Sequence, residues 1–183
     1  MKNIISQFFE LVASREIEIY NEFSLQHELG IFLREHYSSR KIQFERNVSY
    51  FGLDKSKYEK KEMDLVVFSN KDEPDLVMEL KYPRNGQVPE SMFSFCKDIA
   101  FLEQLSDSGF KSAYFIAVAD DSLFYSGSSK GIYGLFRDEQ IISGKIQKPT
   151  GKRDKEVNIK GTYKAKWQKV FGKTKYCLVE VNS

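Results

Sequence analysis

The sequence predicts an α/β domain built on a mixed sheet flanked by helices. Three observations lead there. Residues 62–68, 75–81 and 113–119 are apolar at successive positions, so both faces of an extended chain would be covered. Between the second and third of these stretches, residues 89–106 place Met92, Phe93, Phe95, Cys96, Ile99, Leu102 and Leu105 at helical spacing. Strand, helix and buried strand form a crossover, so the strands at 75–81 and 113–119 are expected to run parallel. Upstream, residues 24–37 read as a helix with the stripe Leu25, Leu29, Phe32 and Leu33, and Ser24 as its N-cap.

The other elements follow in order. Residues 2–13 form a short amphipathic helix through Ile4, Ile5, Phe8, Phe9 and Val12. Residues 38–41 are a linker, 43–51 a first strand, and 54–61 a charged loop. The polar turn at 69–74 is short enough to make the strands at 62–68 and 75–81 a hairpin. Residues 82–89 are loop, with Pro89 suited to a first helical turn and Ser108-Gly109 to the helix end. The Gly/Ser stretch at 124–135 lacks P-loop spacing. Residues 147–157 read as a basic loop. Residues 157–171 and 176–181 then read as an antiparallel pair across 172–175. In this pair Tyr163, Ala165 and Trp167 alternate with Lys164, Lys166 and Gln168, giving one apolar and one basic face.

A chain of 183 residues fits one domain, taken as 1–183, with a core at about 24–121 and a basic β extension at about 141–183. The net charge of +2 hides an asymmetry. Residues 141–183 hold eleven Lys and Arg against three Asp and Glu, a net +8, while residues 1–140 carry a net −6. A basic end on an acidic body fits a polyanionic partner, and equally a solvated Lys-rich face. No apolar run approaches the roughly 20 residues of a membrane helix. The N-terminus lacks the apolar core and cleavage site of a signal peptide. Cys96 and Cys177, far apart in apolar settings, read as buried thiols of a cytoplasmic protein. His27 and His36 have no cysteines at zinc-ligand spacing.

Three charges interrupt the buried strands: Asp64, Glu79 and Lys81. Alternation puts Glu79 and Lys81 on one face, with Leu76, Met78, Leu80 and Tyr82 on the other. In the preceding strand, Met63, Leu65 and Val67 are expected on one face and Val66 and Phe68 on the other. An ionised carboxylate is costly on a buried strand, and two close together repel. A divalent cation relieves both problems, because Mg²⁺ is commonly held by one or two carboxylates.

An Asp at the start of one strand followed by Glu-x-Lys on the next resembles the PD-(D/E)XK nuclease superfamily. Asp64 matches the family's first acid, and Glu79, Leu80 and Lys81 match its (D/E)xK. Met63 stands where the family often has Pro, a position that varies there. The order α-β-β-β-α-β across residues 24–119 matches the family's common core. The resemblance implies a restriction-endonuclease-like fold and a Mg²⁺-dependent endonuclease, with Mn²⁺ as a substitute ion. The substrate would be nucleic acid, DNA ahead of RNA. Asp64, Glu79 and the Leu80 carbonyl would hold the metal, and Lys81 would orient the attacking water. Family members often carry a Glu on the first core helix that reaches the metal, which points to Glu28. Glu28 lies in or beside the apolar stripe, and its other reading is a stripe-edge residue with its head in water.

Arg84 and Asn85, just past Lys81, are placed to touch a phosphate, and Lys164 and Lys166 to lie along a backbone. Asp98, Gln104, Asp120 and Asp121 read first as solvent, backbone or turn residues. Double-strand cutters of this kind are often homodimers, although no interface is legible. The alternatives are a nuclease-fold module that binds nucleic acid or a protein without cutting, and a structural domain in which Asp64 or Glu79 merely pairs with Lys81. A buried ion pair contributes little net stability, which disfavours the last.

Overall fold

The computed structural model describes residues 1–84, 86–151 and 155–182. Helices α1 (Lys2–Ser14) and α2 (Glu22–His36) come first. Strands β1 (Lys41–Asn47), β2 (Glu62–Asn70) and β3 (Glu73–Lys81) follow, then α3 (Val88–Asp107), β4 (Ser112–Ala119) and α4 (Ile132–Arg137). The chain closes with β5 (Ile142–Gln147), β6 (Glu156–Tyr163), β7 (Trp167–Phe171) and β8 (Thr174–Val181). It is a mixed α/β fold. Six strands form one sheet in the order β1-β2-β3-β4-β8-β7, and β5 pairs with β6 in a separate two-stranded sheet.

β1, β2 and β3 form an antiparallel meander. The crossover through α3 then makes β3 and β4 parallel, with Glu79 opposite Phe115 and Lys81 opposite Ala117. β8 returns antiparallel beside β4, with Cys177 opposite Ala117, and β7 lies outside it. Each face of the sheet buries its own core. α1 and α2 cover one through Phe8, Leu25, Leu29 and Leu33 against Leu65, Met78 and Ile116. α3, α4 and the β5–β6 hairpin cover the other through Phe95, Ile99 and Phe136 against Val66, Val77 and Phe115. Phe9 stacks on Tyr176 with ring centroids 3.8 Å apart, tying α1 to β8.

Local chemistry explains the element ends. Asn21, not Ser24, caps α2: its side chain accepts from Ser24 N, and Ser24 Oγ accepts from Asn21 N in return. Gly30 stands in the middle of α2 because a Cβ there would collide with the Phe44 ring of β1. Pro74 falls beside a register irregularity in the β2–β3 pair, where the missing N–H is tolerated.

Three further expectations change. Met63 packs with Val66 and Phe68 on the α3 side, not with Leu65 and Val67. The single strand expected over 157–171 is two strands in two sheets, broken at 164–166. β8 is no appended hairpin strand; it lies inside the main sheet between β4 and β7. Among the described residues, no helix is long and apolar enough to cross a membrane.

Candidate functional site

Asp64 and Glu79 share the α3 face of the sheet, with Lys81 two residues on from Glu79 at the end of β3. The hairpin brings them together. Asp64 Oδ2 accepts from Leu80 N at 2.8 Å, and Asp64 N points at Glu79 Oε1 from 3.4 Å. Lys81 Nζ lies 3.4 Å from Asp64 Oδ2 and donates to the Leu80 carbonyl at 2.8 Å. The carbonyl expected to face a metal is therefore taken by Lys81. Glu79 is fully buried, and Asp64 is 8% exposed.

Two further side chains complete the cluster. Asp98 comes down from α3, 2% exposed. Lys60 enters from the loop before β2: its ammonium bonds Glu79 Oε2 and stands 3.1 Å from Asp98 Oδ1 and 3.6 Å from Asp64 Oδ1. The loop is pinned to α3, because Glu59 N donates to Gln104 Oε1 at 2.9 Å and Tyr58 Oη meets Ser108 Oγ at 2.7 Å. Gln104 is thus a positioning residue for the loop. Asp98 Oδ2 accepts no hydrogen bond; Lys81 Nζ lies 3.7 Å away. Asp98 carries a weak signal in the sequence and Lys60 none. Asp98 falls between Phe95 and Leu102 in the helical stripe, where a carboxylate needs a reason. Lys60 is one of several lysines in a charged loop, and nothing in the sequence distinguishes it.

Helix α2 supplies Glu22 and Gln26, one turn apart. Glu22 accepts from Lys81 Nζ at 3.3 Å and from Tyr82 N at 3.2 Å. Gln26 donates to the Asp64 carbonyl at 2.5 Å and to Glu45 at 2.9 Å. Glu28 is not brought to the cluster: its carboxylate faces His27 at 3.3 Å. The reason is angular, since a residue two positions past Gln26 points about 200° away on a helix.

The charges are strongly coupled. Burial pushes the Glu79 carboxyl well above its ordinary value, and Asp64 and Asp98 add to the rise against Lys60 and Lys81. Burial alone would lower Lys60, but Asp98, Glu79 and Asp64 together outweigh it and hold its pKa above the usual lysine value. Lys81 is raised in the same way, by Asp98, Asp64 and Glu22. Fully ionised, the three buried carboxylates would exceed the two ammoniums by one charge, which accords with the raised Glu79 carboxyl.

The surroundings are open on both sides. A cavity of about 440 Å³ borders Asp64 and Lys60, and another of about 290 Å³ borders Lys81 and Glu22. A third, of about 620 Å³, meets the first at Glu59 and the second at Glu90 and Ser94; Lys97, Lys148 and Lys155 stand along it. Tyr20 and Phe23 flank Glu22 with most of their surface in solvent.

The expected phosphate contacts are scattered. Arg84 pairs with Asp120 at the protein surface. Asn85 lies outside the described residues. Lys164 and Lys166 are exposed on the connection between β6 and β7. Lys81, Ala117, Cys177 and Trp167 are in register, so that connection sits at the same end of the sheet as the cluster, three strands or about 14 Å across. Among the described residues, no three His, Cys, Asp or Glu form a ready-made metal cage. No protein-family model, curated protein or solved structure matches the chain.

Proposed function

We propose that the chain is a restriction-endonuclease-like, Mg²⁺-dependent nuclease that hydrolyses phosphodiester bonds, with DNA as the expected substrate. The observation that carries this reading is the convergence of Asp64, Glu79 and Lys81 from adjacent strands between two cavities, one lined by Asp64 and the other by Lys81.

The donor set fits a hard cation on two grounds. Asp64, Glu79 and Asp98 offer only oxygens, and one buried oxygen of Asp98 lacks a hydrogen-bond donor. Asp64 and Glu79 would hold the ion, which when bound polarises a phosphate and lowers the pKa of water. The chain's own residues do the rest. Leu80 N fixes the Asp64 carboxylate. Glu22 and Asp64 hold the Lys81 ammonium at the cavity wall, where it can orient water and offset charge gathering on a pentacovalent phosphorus. The adjoining cavity sets Lys97, Lys148 and Lys155 beside Glu59, Glu90 and Glu156, so a phosphate there would be met by individual lysines and not by a basic track.

The second reading also has an observation behind it. Lys60 and Lys81 already answer most of the carboxylate charge, as in a nuclease-fold module that binds nucleic acid or a protein without cutting. A substitution series separates the two. Under the nuclease reading, Asp64→Asn, Glu79→Gln and Lys81→Met each reduce Mg²⁺-dependent cleavage at least 100-fold while the circular dichroism stays native. Retained nucleic-acid binding with no cleavage by wild type under any divalent ion would favour the module.

A further inference from the structure

We propose that Lys60 is a tethered counter-ion occupying the cation position of this site, that Asp98 is that position's third carboxylate, and that a divalent cation enters by displacing the Lys60 ammonium. The proposal rests on the nuclease reading only in placing a cation among these carboxylates.

Carboxylates from β2, β3 and α3 converge on a single point, and the Lys60 ammonium fills it. Fully ionised, Asp64, Glu79 and Asp98 exceed the Lys60 and Lys81 ammoniums by one charge, which the buried Glu79 relieves by holding its proton. Exchanging an ammonium for a divalent ion balances that charge without the proton. Asp98 Oδ2 is the second sign. The Lys60 ammonium meets only Oδ1, and Oδ2 is buried with no hydrogen-bond donor and Lys81 Nζ 3.7 Å away; a cation that Asp98 ligated through both oxygens would remove that cost. A purely structural core would gain more from apolar side chains than from three buried carboxylates and two half-buried ammoniums.

Lys60 also has a way out. Its side chain is 30% exposed and borders the cavity of about 440 Å³, while the carboxylates sit on two strands and a helix. Its backbone neighbours stay fixed through Glu59 N and Gln104. Rotation of the lysine stem therefore opens the position, and the three carboxylates, which form no ready-made cage as they stand, would close on the ion by side-chain rotation.

The test is calorimetric titration of Mn²⁺ into the full chain, with melting temperature in EDTA as the second readout. Lys60→Met is expected to bind Mn²⁺ at least tenfold tighter than wild type and to melt lower in EDTA, with Mn²⁺ restoring the loss. Lys60→Arg, which keeps the charge, is expected to gain no affinity. Asp98→Asn is expected to weaken binding at least tenfold, in the wild-type and Lys60→Met backgrounds alike. Should Lys60→Met fail to fold, the ¹⁵N-ammonium resonance of Lys60 in wild type decides: a shift on adding Mg²⁺ supports displacement, and no shift overturns it. Equal affinity in Lys60→Met and wild type overturns the role of Lys60, and unchanged affinity in Asp98→Asn that of Asp98. If wild type binds Mn²⁺ and cleaves while Lys60→Met binds no tighter, the inference falls and the nuclease reading stands. If no variant binds Mn²⁺, the inference falls together with the cation-dependent part of that reading.

Discussion

Glu103 on α3 tests how the β5–β6 hairpin is fastened beside the site. Its carboxylate is 4% exposed and accepts three hydrogen bonds: Lys160 N at 3.0 Å, Gly161 N at 2.6 Å and Tyr163 Oη at 2.9 Å. Glu103→Ala leaves two backbone N–H groups and a phenol without their charged acceptor. Hydrogen bonds to charged groups contribute about 1.5–3 kcal/mol each, and three on one carboxylate are not additive, so the loss should be about 3–5 kcal/mol. For a chain of this size each kcal/mol moves Tm by about 2–4 °C, which puts the fall at roughly 10 °C. Glu103→Gln keeps the oxygen facing Gly161 and Tyr163 but turns an amide toward Lys160 N, and should cost about 1–3 kcal/mol. Thermal melts give the size and hydrogen exchange gives the place. The Lys160 and Gly161 amides should exchange faster in Glu103→Ala, while those of β3 and β4 stay protected. A melting temperature within about 2 °C of wild type would refute the reasoning.

Three other outcomes follow from the same structure. Because burial raises the Glu79 carboxyl, aided by Asp64 and Asp98, the folded state holds that proton more tightly than the unfolded chain. Its contribution is therefore full below the ordinary value of 4.5 and is lost as pH climbs through the raised folded value. Metal-free wild type should lose stability relative to Glu79→Gln as pH rises above 4.5, and a Tm difference that stays constant as pH rises would contradict this. Burial pushes the Cys96 and Cys177 thiols up to about 12, so neither should react with a thiol reagent in the native protein, and both should react in guanidinium. Arg84 and Asp120 form an exposed pair, so Arg84→Ala should shift stability by no more than about 1 kcal/mol while weakening nucleic-acid binding several-fold.

The sequence carries the parts of this site that obey strand alternation. Glu79 and Lys81 on one face, Leu76, Met78, Leu80 and Tyr82 on the other, and the parallel β3–β4 pair all follow from period-two patterning and crossover chemistry. The helix contribution is harder to read. Glu28 lies near the apolar stripe, but the residues at the sheet end are Glu22 and Gln26, because α2 begins at Glu22 under the Asn21 cap. The earlier start leaves the apolar stripe where it was and adds Glu22, which shares a face with Gln26 four residues on. Asp98 shows in the pattern only as a polar residue within an apolar stripe. Lys60 leaves no pattern, because a loop lysine is placed by tertiary contacts such as Glu59 with Gln104. The C-terminal region was hidden for a related reason. Alternation continues through Tyr163, Ala165 and Trp167 while the hydrogen-bonding partner changes from β5 to β8, and side-chain periodicity does not encode strand partners.

Cleavage of end-labelled DNA, single- and double-stranded, by wild type and Lys81→Met in Mg²⁺ and in EDTA tests the central claim most directly. The account predicts cutting by wild type in Mg²⁺ alone and at least a 100-fold loss in a folded Lys81→Met protein. Equal cutting by both proteins, or none by wild type with either Mg²⁺ or Mn²⁺, would contradict it.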